Sequence, residues 1–217
     1  MVRRDRFIEL LRETRVYAVT DDALDGARLV EAVRSLLAAG IRVFQYRDKS
    51  SADGERVAVA SALARDVHRA GGLIVVNDRP DVALAAGADG AHLGQDDVPL
   101  GAARAMLGPD RVLGASASYL SELEPAAREG ADYVGFGAVF ATGTKPDAEF
   151  AGLDLLEQAC RASSLPVVGI GGIDVQRAPL ALQRGAVAVA VVSALFRAPD
   201  PAAAARALLA AVAANAA

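Results

Sequence analysis

The chain has 217 residues, a formal net charge of −4, 53% hydrophobic and 5% aromatic residues, and no tryptophan. That length suits one large α/β domain, and a mean hydropathy of +0.28 is enough to fill its core, mainly from Ala, Val and Leu. The acidic balance excludes a whole-molecule field that would favour nucleic acid or an anionic membrane, so any anion site must be local. The one cysteine, Cys160, has no disulfide partner within the chain and reads as a small core residue of a predicted helix, and a single cysteine fits a reducing, cytoplasmic setting.

Taken in order, Met1 to Arg15 is charged throughout and has no apolar segment of the signal-peptide kind, and a helix is expected over about residues 3–13. Short β-rich runs then alternate with longer helical patterns. The strand candidates are Val16–Thr20, Ile41–Tyr46, Leu73–Asn77, Gly90–Leu93, Arg111–Ala115, Tyr133–Phe136, Pro166–Ile170 and Val187–Val192. Most are continuously apolar, as parallel strands covered on both faces require. Leu29, Val33, Leu36 and Leu37 recur at helical spacing in Ala27–Ala39, and Val57, Leu63 and Val67 repeat the pattern in Glu55–Ala70. Gly40, Gly71, Gly87, Gly130 and Gly185 stand where these helices should end, as left-handed caps. The longest apolar run, Ala186 to Phe196, is about half a membrane span and is broken by Ser193, so it reads as a buried strand entering a helix. An Ala-rich segment over about residues 200–214 predicts a last, fraying helix with Pro201 in its first turn. Eight β/α units without a linker predict a single-domain (β/α)8 barrel over residues 1–217, with a doubly wound open sheet as the rival topology.

A barrel gathers its chemistry on the loops after the strands, and polar residues cluster there. Strand 2 ends in Gln45-Tyr46-Arg47-Asp48-Lys49, where alternation points Gln45 and Arg47 the same way and Lys49 follows in the loop. Two cations and an amide suit a multiply charged anion; a loop salt-bridged around Asp48 is the alternative. Strand 3 ends in Asn77-Asp78, and strand 4 leads to Asp96-Asp97. Carboxylates from neighbouring strand ends can share Mg²⁺ with substrate phosphate, and Asp78 with Asp97 is the candidate pair. Asp81, Asp89 and Asp96 read as caps or turn residues. His92 reads as a satisfied core histidine, and His68, beside Asp66 and Arg69, as an exposed one. Strand 5 brings the Ser116 hydroxyl to the mouth. After strand 6, Thr142, Gly143, Thr144 and Lys145 could cradle an anion, and the stretch 142–152 could form a lid. The strand 7 run Gly169-Ile170-Gly171-Gly172 lacks the third glycine of a dinucleotide fingerprint but lets backbone N–H groups approach an anion. With Val192 and Ser193 after strand 8, it forms the recurrent phosphate site of these barrels. One phosphomonoester leaves Arg47, Lys49, Lys145, Ser116, Asn77 and two aspartates in surplus. That surplus fits a pyrophosphate with Mg²⁺, and two anions imply two substrates.

In this order the motifs resemble the thiamine-phosphate synthase (thiamine-phosphate pyrophosphorylase) family. The carrying segments are QYRDK at 45–49, NDR at 77–79, DGAHLGQDD at 89–97, GAS at 114–116, DYVGFGAVFATGTK at 132–145, GIGGI at 169–173 and AVVS at 190–193. The resemblance implies a transferase that joins a hydroxymethylpyrimidine pyrophosphate to a thiazole phosphate, giving thiamine phosphate and pyrophosphate. It implies that Gln45, Tyr46, Arg47, Asp48, Lys49, Asn77, Ser116 and Lys145 bind the pyrimidine pyrophosphate, with Arg47, Lys49, Lys145 and Ser116 catalytic. Asp78 and Asp97 would hold Mg²⁺, and Thr142, Gly143, Thr144, Gly172, Val192 and Ser193 would bind the thiazole phosphate. The reaction it implies is dissociative and needs no protein nucleophile. The partners expected are small phosphorylated molecules, with neither nucleic acid nor membrane, and the oligomeric state is open. Three alternatives are a paralogous thiazole-phosphate isomerase, a non-catalytic thiazole-phosphate-binding barrel, and a phosphosugar isomerase or epimerase, which would need an acid–base pair at the mouth.

Overall fold

Eight parallel strands close into a barrel in the computed structural model, which describes residues 2–141 and 151–214. The strands are β1 (Val16–Val19), β2 (Val43–Tyr46), β3 (Leu73–Asn77), β4 (Gly90–Leu93), β5 (Val112–Ala117), β6 (Tyr133–Phe136), β7 (Val167–Ile170) and β8 (Ala188–Val191). The helices are α1 (Arg3–Thr14), α2 (Gly26–Ala39), α3 (Asp53–Arg69), α4 (Pro80–Ala86), α5 (Leu100–Leu107), α6 (Leu123–Arg128), α7 (Gly152–Ala162), α8 (Ala178–Gln183), α9 (Ser193–Phe196) and α10 (Pro201–Ala213). Each strand pairs with the next, and β8 returns to β1 with Tyr17 opposite Ala190. That last pairing decides for the closed barrel over the open sheet.

Strand alternation divides the core in two. Ala18, Phe44, Tyr46, Ile74, Val76, Leu93, Val134 and Phe136 belong to the cluster packed with the helices. Tyr17, Val19, Val43, Val75, Val112, Tyr133, Val168 and Ala190 belong to the inner one. The expected N-terminal helix is present as α1 and closes the barrel floor: Phe7 is fully buried in the inner cluster, edge-on to the Tyr17 ring at 5.8 Å and 5.3 Å from that of Tyr133. With the floor plugged, the mouth formed by the strand carboxyl ends is left for a site.

Local chemistry explains where the helices stop. Gly40 at the end of α2 takes φ 111°, a left-handed conformation costly for other residues, and its N–H returns to Leu36 and Leu37 carbonyls. The expected C-terminal helix is present as α10, capped at its start and packed along one face. Asp200 accepts from the Ala203 N–H at 2.9 Å, and Ala205, Leu208 and Val212 are buried. Cys160 is partly buried in α7, where burial pushes its thiol up to about 11 and so keeps it protonated and unreactive. Among the described residues, no helix is long and apolar enough to cross a membrane.

His68 is exposed, as its sequence suggested, and it is also partnered. Its Nε2 lies 2.8 Å from Oδ2 of Asp89, a buried carboxylate that also accepts the Ile74 N–H at 2.9 Å. Asp89 therefore ties β4 to β3 and α3, beyond the turn role its sequence suggested. The hydrogen bond to Asp89 holds the imidazole above its ordinary 6.5 despite partial burial. A raised histidine stabilises the fold fully below 6.5, and the contribution fades as pH rises through the elevated folded value. We expect the stability gap between the protein and His68→Gln, read from urea midpoints, to be larger at about pH 5.5 than at about pH 8.5.

Candidate active site

The inward positions nearest the strand carboxyl ends line one cavity of about 160 Å³. Gln45, Arg47, Asn77 and Ser116 come from β2, β3 and β5; Gly171, Gly172, Val192 and Ser193 come from the ends of β7 and β8. Residues from both halves of the sequence-based site thus face one space, whereas Lys49, Asp78 and Asp97 are not among its lining residues. Thr142, Gly143, Thr144 and Lys145 lie outside the described residues. Tyr46 and Asp48 are not brought to this cavity. Alternation turns Tyr46 outward, where it is buried and donates to Asp48 Oδ2 at 2.7 Å. Asp48 Oδ1 accepts the Ser50 and Ser51 N–H groups at 3.0 and 2.9 Å, and these bonds outweigh burial to hold its carboxyl well below the usual range. Both residues line a neighbouring cavity of about 230 Å³. The loop is salt-bridged, but not around Asp48: Arg47 pairs with Asp22 at 2.7 Å and Lys49 with Asp78 at 3.1 Å.

Asp78 is built into a tight corner. Its φ is +63°, its own N–H reaches the His92 carbonyl, and the Arg79 N–H reaches back to the Asn77 carbonyl, each at 2.8 Å. A positive φ on a residue with a Cβ at the centre of such a three-residue turn is costly, and such outliers gather at functional sites. Asp97 approaches it from the loop after β4, anchored by the Gly94 N–H at 2.6 Å. Burial, with Asp78 alongside, holds the Asp97 carboxyl above the usual range, while the Gly94 N–H and Lys49 act in the opposite sense. Two hard carboxylates drawn together against electrostatic repulsion fit Mg²⁺, which takes one or two carboxylates and completes its shell with water and substrate phosphate. Among the described residues no three His, Cys, Asp or Glu side chains gather to hold a metal alone.

The opposite wall is backbone. Gly171 and Gly172 take φ +100° and +63°, and a Cβ on Gly172 would lie 2.6 Å from the Ala141 carbonyl oxygen. The glycine pair therefore serves close packing and cavity lining at once. Arg177 fixes this loop by donating to the Gly172 carbonyl at 2.9 Å while stacking over Phe140 at 5.1 Å. Ser193 opens α9 as its sequence suggested.

Sequence reading missed Asp22, Arg177 and the buried floor of the cavity. There, Tyr17, Tyr133 and His92 join Gln45 to Ser116 through hydrogen bonds of 2.8 to 3.0 Å. No local motif signals these partners, because barrel closure alone brings them together.

The fold and site define a (β/α)8 barrel with its polar side chains gathered at the strand carboxyl ends, the arrangement of barrel enzymes. A sequence profile described as thiamine monophosphate synthase (TMP-TENI) matches residues 16–195. The chain is 44% identical over 201 residues to a thiamine-phosphate synthase of Synechococcus sp. (strain WH7803), covering 92% of this chain and 57% of that protein. It is 46% identical over 195 residues to one of Roseiflexus castenholzii, covering 89% and 86%. Its structure matches a thiamine phosphate pyrophosphorylase from Pyrococcus furiosus with a TM-score of 0.88 at 36% identity, over 95% of this chain and 100% of the other. The chain belongs to the thiamine monophosphate synthase family. It spans little more than half the length of the Synechococcus relative and most of the Roseiflexus one.

Proposed function

We propose that this chain couples hydroxymethylpyrimidine pyrophosphate to a thiazole phosphate, releasing pyrophosphate and thiamine phosphate. The observation that carries this reading is one cavity lined both by Gln45, Arg47, Asn77 and Ser116 and by Gly171, Gly172, Val192 and Ser193, with Asp78 following Asn77 in the chain and lying close to Asp97. Family membership and relatives named thiamine-phosphate synthase support it.

In this reading Arg47, Lys49, Lys145, Asn77 and Ser116 bind the pyrimidine pyrophosphate with Gln45, and Asp78 and Asp97 hold Mg²⁺. Bound Mg²⁺ would help neutralise the departing pyrophosphate. Arg47 exchanges Asp22 for the incoming anion, and Lys49 is already directed at the carboxylate pair. Their charges, with that of Lys145, stabilise negative charge that grows as the C–O bond breaks. The aminopyrimidine delocalises the positive charge left on its methylene carbon. Gly172, Val192 and Ser193, with Thr142, Gly143 and Thr144, anchor the thiazole phosphate so that the ring nitrogen meets that carbon at close range. The nitrogen supplies the electron pair for the new C–N bond, so the protein needs no nucleophile. Bulk cytoplasm, where small phosphorylated substrates occur, is the compartment this reading assigns.

Supplying both substrates and Mg²⁺ to the purified chain is expected to release one pyrophosphate per thiamine phosphate formed, with neither substrate sufficient alone. Arg47→Ala should slow release on the order of 100-fold, as expected for loss of a preorganised charge. Binding of the thiazole phosphate without any turnover would support a binding protein and overturn the reading.

A further inference from the structure

The inner layers of such barrels are usually filled by branched apolar side chains. Here the cavity floor carries a continuous polar chain instead. Gln45 Nε2 donates to the Tyr17 hydroxyl at 2.9 Å, Tyr17 and Tyr133 hydroxyls meet at 2.8 Å, and the Tyr133 hydroxyl meets His92 Nδ1 at 2.9 Å. His92 Nε2 meets Ser116 Oγ at 3.0 Å. Gln45, Tyr17, Tyr133 and His92 are each more than nine-tenths buried, and both ends of the chain line the cavity. The barrel is shaped around it: a Cβ on Gly114 would lie 2.4 Å from His92 Nδ1 and from the Tyr133 ring, and one on Gly135 would lie 3.2 Å from His92 Cε1. Buried polar groups are costly unless every one is satisfied, so the order of protons along the chain is constrained.

We infer that His92 is a positioning residue, held as the neutral Nε2–H tautomer by a one-way chain of hydrogen bonds that starts at Gln45. A hydroxyl has one proton to give. Tyr17 accepts from Gln45 and so donates to Tyr133, and Tyr133 donates to His92 Nδ1. Neutral His92 then carries its proton on Nε2 and donates it to Ser116 Oγ. The Ser116 hydroxyl proton is thereby turned toward the cavity, while the acceptor end of the Gln45 amide is its oxygen. Burial holds the Tyr17 and Tyr133 phenols well above their usual range, so both keep the protons the chain requires. The two ends offer opposite polarity, a donor at Ser116 and an acceptor at Gln45. That pairing suits a ring nitrogen and an exocyclic amino group on the same edge of an aminopyrimidine. This last step rests on the function proposed above; the tautomer does not.

The test uses ¹⁵N-histidine NMR on the ligand-free protein, whose two histidines are told apart with His68→Gln. His92 is expected as the neutral Nε2–H tautomer, and Tyr133→Phe, or Tyr17→Phe should the first not fold, is expected to redistribute it. Finding the Nδ1–H tautomer or an imidazolium in the unmutated protein, or a distribution unmoved by both tyrosine variants, overturns the inference. For the coupling reaction, Tyr133→Phe should lower kcat by about tenfold, the size of one hydrogen bond lost in the transition state, with KM for the thiazole phosphate unchanged. His92→Gln, which offers both a donor and an acceptor, should retain more of kcat than His92→Leu. Equal losses in these two variants, or a rise confined to thiazole phosphate KM, would count against the positioning role. A chain inactive on these substrates would defeat the proposed function and leave the tautomer result standing.

Discussion

Asp78→Asn and Asp97→Asn are each expected to slow pyrophosphate release on the order of 100-fold or more, while leaving the fold intact. Asparagine keeps the shape of each side chain and removes its charge. The bond from the Gly94 N–H can persist at position 97, and the turn at position 78 tolerates asparagine, which visits left-handed backbone readily. What is lost is the paired charge, which no neighbouring carboxylate replaces among the described residues. Relief of the burial cost and of the Asp78 repulsion that together raise the Asp97 carboxyl should leave stability unchanged or slightly higher. The two losses should not multiply in the double variant, because residues acting as one unit are strongly non-additive. Retention of near-normal release by either single variant, with Mg²⁺ limiting, would remove the pair from the site.

The largest stability effect is expected far from any charge, at Gly90. A Cβ there would lie 1.9 Å from the Val112 carbonyl oxygen and 2.6 Å from its carbon, both backbone atoms of the adjacent strand. Backbone atoms cannot swing aside as a side-chain end can, so Gly90→Ala must part β4 from β5 or distort both. We expect a loss of about 3 kcal/mol or more in unfolding free energy, at or beyond the usual cost of overpacking. Gly101 provides the contrast: it sits in α5, where an added Cβ would meet nothing within 4 Å. Gly101→Ala should be neutral or add up to about 1 kcal/mol, through the helix propensity gained. Urea midpoints of the two variants give the comparison, and equal midpoints would contradict the packing argument.

The strands could be read from sequence because each is a short apolar run ended by a polar cluster, and closure followed from eight repetitions. The same period-2 logic that put Gln45 and Arg47 together already placed Tyr46 on the opposite face, so its assignment to the site rested on the motif as a block. What could not be read was pairing across the barrel. Asp22 and Arg47 are on different units, as are His68 and Asp89, and only the three-dimensional register joins them. His92 is the clearest case. A lone histidine in an apolar strand does resemble a satisfied core residue, and it is satisfied, but its partners Tyr133 and Ser116 are supplied by β6 and β5. Two glycines in those strands make the room, and in sequence they look like small-residue packing.

The proposed function requires the site to hold two anions by different means, one with Mg²⁺ bound by Asp78 and Asp97 and one by backbone and hydroxyl groups alone. Calorimetric titration of inorganic pyrophosphate and of the thiazole phosphate, each with Mg²⁺ and with chelator, tests it directly. Pyrophosphate binding is predicted to weaken sharply without Mg²⁺ and in Asp78→Asn, whereas thiazole phosphate binding should be the same in every case. Equal dependence of both anions on Mg²⁺, or of neither, would contradict the claim.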